Sequence, residues 1–180
     1  MKKFALLTTL LFAGSILATA QMDMGGDKKP PLSPPASAEC KFSDGKIVKM
    51  DYSSPRAKGR KIYGGLVPYG QIWRTGANAS TTFVTDSDVV VGGQNVPAGS
   101  YTIFTVPESA KWTLVISKKT GEWGTDYPGE SNDLVRVPMT ISKTSGPVEN
   151  FTISFDQGGS KCALHADWES TRASVDVVKK

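Results

Sequence analysis

Phe151-Thr152-Ile153-Ser154-Phe155 alternates apolar and polar side chains. That is the period of a strand that buries one face and wets the other. The same period recurs on both sides of it. Cys162, Leu164, Ala166 and Trp168 alternate with Ala163, His165 and Asp167, and Val135, Val137, Met139 and Ile141 alternate with Arg136, Pro138 and Thr140. Trp112, Leu114 and Ile116 share a face, and Tyr101–Val106 reads as a strand ended by Pro107. Thr81–Thr85 is β-branched and aromatic, Val89–Val91 runs into the turn Gly92-Gly93, and Val175–Val178 forms a last strand. Cys40–Phe42 and Ile47–Tyr52 flank Asp44-Gly45, a hairpin signal in which both turn positions are expected at positive φ. No stretch carries apolar residues at helical spacing over three turns. Short strands separated by Gly, Pro, Asp and Asn predict one all-β domain, an antiparallel β-sandwich or a jelly-roll-like fold.

The first twenty residues read differently. Lys2 and Lys3 precede the apolar run Phe4–Leu17, and Ala18-Thr19-Ala20 offers small residues for cleavage. This is the order of a signal peptide over residues 1–20, with Gln21 as the mature start. The run is short for a spanning helix of about 20 residues, so no membrane association is expected after its removal. The style is bacterial, which predicts a periplasmic or secreted protein. Residues 21–38 hold Pro30, Pro31, Pro34 and Pro35 among Gly, Ser and Lys, and read as a linker ahead of a domain over 39–180. In that setting the acceptor patterns at Asn78-Ala79-Ser80 and Asn150-Phe151-Thr152 read as chance.

Charge and cysteines narrow the classes further. Losing Lys2 and Lys3 brings the formal +4 of the chain to +2, too weak a balance to point to nucleic acid. Two cysteines in an oxidising compartment predict a disulfide between Cys40 and Cys162. Cys162 shares its face with Leu164 and Trp168, the expected inward face. A single histidine leaves no multi-histidine metal site within the chain, and neither metal nor cofactor is expected. A serine triad would have to use His165, which alternation places opposite Cys162, on the expected solvated face.

Two irregular stretches remain where chemistry fits. Gly59–Asn78 packs Arg60, Tyr63, Tyr69, Trp73 and Arg74 among glycines. Trp73 offers a flat apolar face, Arg74 a planar fork for a carboxylate or phosphate, and Asn78 hydrogen bonds to hydroxyls. The opposing reading is that these groups only pin a long loop. The second stretch, Gly121–Asp133, carries Glu122, Trp123, Asp126, Glu130 and Asp133. Its spacing does not match a calcium loop, and nothing sets two of its carboxyls at glycosidase distance. It reads as a solvated acidic loop in which Asp133 serves Arg136 or Arg74 as a charge partner.

GRKIYGGLVPYGQIWRTGAN at 59–78, VPAGSYTIFTVP at 96–107, KWTLVISKKTGEWGTDY at 111–127 and DLVRV at 133–137 together resemble domain-of-unknown-function family 2911. The resemblance runs from about Cys40 to Val178. It implies a secreted all-β domain and brings no catalytic residue with it. The leading expectation is a non-catalytic module that binds a glycan or small carboxylate through Arg60, Tyr69, Trp73, Arg74, Asn78 and Trp123. The alternatives are a secreted hydrolase using Asp133 or Glu122, and a purely structural or interaction domain.

Overall fold

The computed structural model describes residues 31–124 and 126–180. The expected signal peptide and most of the linker lie outside the described residues. Apart from one 3-10 turn at Glu130–Asn132, the regular structure among them is all β. The strands are β1 (Pro35–Lys41), β2 (Ile47–Ser53), β3 (Thr81–Thr85), β4 (Val89–Val91), β5 (Gln94–Val96), β6 (Gly99–Pro107), β7 (Trp112–Ser117), β8 (Asp133–Gly158) and β9 (Lys161–Lys179). They form one antiparallel sheet in the order β1-β2-β3-β6-β7-β8-β9-β4-β5. The sheet is sandwich-like but open. It curls until β1 and β2 meet β8 and β9: the Tyr52 hydroxyl accepts from Ile153 N at 3.0 Å, Ser54 Oγ donates to Phe151 O at 2.7 Å, and Cys40 is bonded to Cys162.

Three differences from the sequence expectation have physical causes. First, β1 begins at Pro35, so the last four residues assigned to the linker belong to the sheet, where Pro35–Ala38 pair with Ser53–Met50. Pro35 opens an edge strand, where its missing N–H costs no ladder bond. Second, only Gly45 of the Asp44-Gly45 pair has positive φ, at 88°. The turn is one residue wider than the two-residue form. Gly45 N donates to Phe42 O, Phe42 N to Lys46 O, and Lys46 N to Asp44 Oδ1.

Third, four expected strands are two long ones. Asp133–Met139 of β8 pairs with β7, and from Thr140 onward β8 pairs with β9. Between Lys143 and Val148 five steps of β8 match two of β9, and between Val148 and Thr152 four match two. The surplus lets β8 take the outer path around a corner while β9 takes the inner one. Glu169, at φ 51°, sits at that corner. Ser145-Gly146-Pro147, between the two expected runs, is the extended outside of a bend.

The core at the corner is aromatic. Trp73 stacks on Trp168 with centroids 5.9 Å apart, and Phe151, Trp112 and Tyr63 meet Trp73 edge-on. Tyr63 is 5% exposed, and its hydroxyl has no hydrogen-bond partner among the described residues. Burial first, then the carboxylates of Glu169 and Asp167, push its phenol far above the ordinary 10.0. A native state that holds this proton tightly keeps its full stability below pH about 10 and loses it as pH rises further, because the unfolded chain ionises first. Tyr63→Phe is expected to stabilise the protein by about 1 kcal/mol, since it removes an unpaired buried hydroxyl. It should also flatten the alkaline loss. Urea unfolding at neutral and alkaline pH checks both, and a destabilised variant contradicts the account.

Candidate functional site

The segment between β2 and β3 is irregular but firmly held. Trp73 and Thr105 of β6 exchange backbone hydrogen bonds, Trp73 N to Thr105 O at 2.8 Å and Thr105 N to Trp73 O at 2.9 Å. Thr75 Oγ1 donates to Thr105 Oγ1 at 3.1 Å, and Thr81 Oγ1 donates to Thr75 O at 2.7 Å. Gly76 lies so close to β2 that a Cβ there would meet Ser53 O at 3.0 Å, and its φ of 155° favours glycine as well. Ile62 N donates to Glu169 Oε1, which ties the start of the segment to the β9 corner.

Held this way, the segment encloses a cavity of about 350 Å³. Its walls are Arg60, Leu66, Val67, Gln71, Ile72, Trp73 and Arg74, closed by Pro55, Trp168, Ser33 and neighbouring residues, with no carboxylate among the described lining residues. Arg60 donates from Nε to Ala57 O and from Nη2 to Arg56 O. Carbonyls orient that guanidinium without neutralising it. Arg74 makes no ion pair within 4 Å among the described residues, and its Nε is buried with no hydrogen-bond partner among them. The cavity therefore joins two cationic forks to an apolar wall.

Of the six expected binding residues, the fold brings Arg60, Trp73 and Arg74 to this cavity. Trp73 is only 9% exposed, with one ring face against Trp168, so it is wall rather than an open stacking platform. Asn78 is exposed and donates to Ser33 O at 3.2 Å, strapping the segment to the chain ahead of β1. Tyr69 lies over Gly64, where a Cβ would meet its ring at 2.8 Å. Trp123 is 67% exposed and stands outside the cavity. It is still a neighbour, because Ala79 bridges to Trp123 and the Cβ position of Gly124 is 3.9 Å from Arg74 Nη1. Trp168 belongs to the wall although alternation marks it only as core. No local signal distinguishes a core tryptophan from one whose edge also lines a cavity.

The acidic stretch is organised separately. Arg136 Nε donates to Asp133 Oδ2 at 2.6 Å, the Tyr127 hydroxyl donates to the same oxygen at 2.7 Å, and Glu130 lies 3.3 Å from Arg136 Nη2. The Asp133 contact, foremost, raises the already high pKa of Arg136. Glu122 lies 3.5 Å from Lys119. Neither Asp133 nor Glu122 reaches the cavity wall.

His165 is the clearest correction. It is 7% exposed rather than solvated. Its Nδ1 lies 2.7 Å from Ser174 Oγ and its Nε2 3.0 Å from Asp156 Oδ2. The face opposite Cys162 is outward on a flat strand, but here β9 folds back over it.

The chain belongs to a family described as "Protein of unknown function (DUF2911)", whose model matches residues 33–177. No curated protein matches it, and no solved structure does. No helix among the described residues is long and apolar enough to cross a membrane.

Proposed function

We propose that this member of the DUF2911 family is an exported module that binds a small carboxylate, or a glycan bearing one, without catalysis at that site, in the cavity walled by Arg60, Trp73 and Arg74. One observation carries the reading: the Arg74 guanidinium, which has no ion pair among the described residues, lines a cavity with no carboxylate among its described lining residues. A ligand carboxylate offers the planar acceptor that matches an arginine fork without an ion-pair partner. The volume, about 350 Å³, is at the small end of ligand sites. Exposed Trp123 beside Arg74 favours a glycan that continues out of the cavity over its ring. With no carboxylate among the described lining residues, a hydrolase acting here through Asp133 or Glu122 is disfavoured. The Cys40–Cys162 bond supports an oxidising destination.

Thermal-shift titration tests this with glucuronate, galacturonate and benzoate, and with glucose as the neutral control. The acids are expected to raise the melting temperature in a saturable way, as ligands that bind only the folded state do. Glucose is expected to do nothing. Arg74→Gln should abolish the shift and leave the unliganded protein folded. A panel in which no carboxylate shifts the protein, or one in which Arg74→Gln responds like the parent, overturns the reading.

A further inference from the structure

His165 and Ser174 are nine residues apart in β9, a separation of about 30 Å on a straight strand. Their side chains nevertheless meet at 2.7 Å. The fold-back at Glu169 brings them together, and it also sets Arg172 on Asp167 in a two-pronged pair at 2.9 and 2.6 Å. His165 lies opposite Ser154 in the ladder, and Asp156, two residues further along β8, shares that residue's face and reaches the other imidazole nitrogen. The neutral ring has one arrangement that serves both contacts. An ionised carboxylate only accepts, so Nε2 carries the proton. In the neutral ring Nδ1 is then a lone-pair acceptor, and the Ser174 hydroxyl donates to it.

We propose that Ser174 is a nucleophilic serine, with His165 Nδ1 as its general base and Asp156 as the positioning residue, and that it accepts acyl groups from activated esters. The order of roles is that of a serine triad, with the two imidazole nitrogens exchanged. A groove of about 430 Å³ has Ser174 in its lining. Alternation directs Ser174, Asp176 and Val178 to one face, and Pro138, Thr140 and Val90 join them in the lining. This wall is small and partly apolar, which suits a short acyl chain.

The reaction balances without a co-reactant other than water. Ser174 Oγ bonds to the ester carbonyl carbon while its proton passes to Nδ1. The tetrahedral adduct collapses, the bond to the leaving oxygen breaks, and the Nδ1 proton goes to that oxygen. Water, deprotonated by the same nitrogen, then releases the acid and restores Ser174. Asp156 is 77% exposed at its side chain, so solvent screens its charge and its main role is to hold the tautomer. A weakly basic leaving oxygen, whose bond to the carbonyl carbon breaks readily, asks least of such a site, which points to aryl esters.

The test uses the full exported chain with its disulfide intact. p-Nitrophenyl acetate turnover and a fluorophosphonate probe are followed by intact mass and peptide mapping. One adduct per chain on Ser174 is expected. Ser174→Ala should abolish it, His165→Gln should slow it about 100-fold or more, and Asp156→Asn should slow it about tenfold or more. Should His165→Gln fail to fold, the parent's labelling rate decides: a rise with pH to a plateau set by one ionisation supports the proposal, and a flat profile overturns it. No adduct, an adduct elsewhere, or undiminished labelling of folded His165→Gln also overturns it. Glucuronate protection in the thermal-shift assay is expected to be unchanged in Ser174→Ala, which keeps this result separate from that of the arginine-walled cavity.

Discussion

Trp73→Ala is expected to lower the unfolding free energy by about 3–5 kcal/mol, the range for truncating a buried aromatic side chain. The indole is 9% exposed, stacks on Trp168 at 5.9 Å and meets Phe151 edge-on at 5.1 Å. Its removal empties the centre of an aromatic cluster shared by the segment before β3 and by β7, β8 and β9. The backbone exchange with Thr105 does not depend on the side chain, so the loop has little freedom to collapse into the space. Urea unfolding measures the loss. The cavity loses a wall as well, and glucuronate protection should disappear with it. A variant as stable as the parent would mean that Trp73 is not part of the core. A destabilised variant that still binds glucuronate would move the ligand away from this wall.

The second large effect concerns the bond between Cys40 and Cys162, residues separated by 122 positions. Replacing both with serine is expected to cost up to about 4–5 kcal/mol in the chain-entropy account, because the unfolded chain regains a very long loop. Both residues are fully buried, at 1% and 0% exposure, so the serine hydroxyls would also enter an apolar layer. Equilibrium unfolding of Cys40→Ser/Cys162→Ser against the oxidised parent gives the difference. Reduction of the parent should reproduce most of it. Equal stability of the oxidised and reduced parent would show that the bond adds nothing to the links that already join β1 and β2 to β8 and β9.

Asp44-Gly45, the Gly92-Gly93 turn and the period-two runs are local signals, and they were legible because a turn or a pleat is decided within a few residues. The same logic misread Pro35–Ala38. Its prolines and alanines look like linker, and only pairing with Met50–Ser53 makes them a strand. It also divided β8 into separate runs at Val135–Ile141 and Phe151–Phe155, which one strand joins around the outside of a bend. In the candidate site, Arg60, Trp73 and Arg74 were legible as unusual chemistry on irregular backbone. Asn78, Tyr69 and Trp123 carry the same chemistry, yet they fall outside the cavity wall. Side-chain type carries no information about direction once the backbone stops repeating.

By itself the sequence determined the all-β class, the inward face of most strands and the Cys40–Cys162 pairing. Each follows from alternation, turn residues or cysteine number, which are properties of neighbours along the chain. Tertiary structure alone decided that the sheet stays open, that β8 and β9 bend as a pair at Glu169, and that Trp168 closes the cavity behind Arg74. It alone decided as well that His165 lies buried between Ser174 and Asp156. These depend on register shifts and on surfaces folding back on one another. A strand's period of two says which way a side chain points from its own backbone, but not what the rest of the chain will place in front of it.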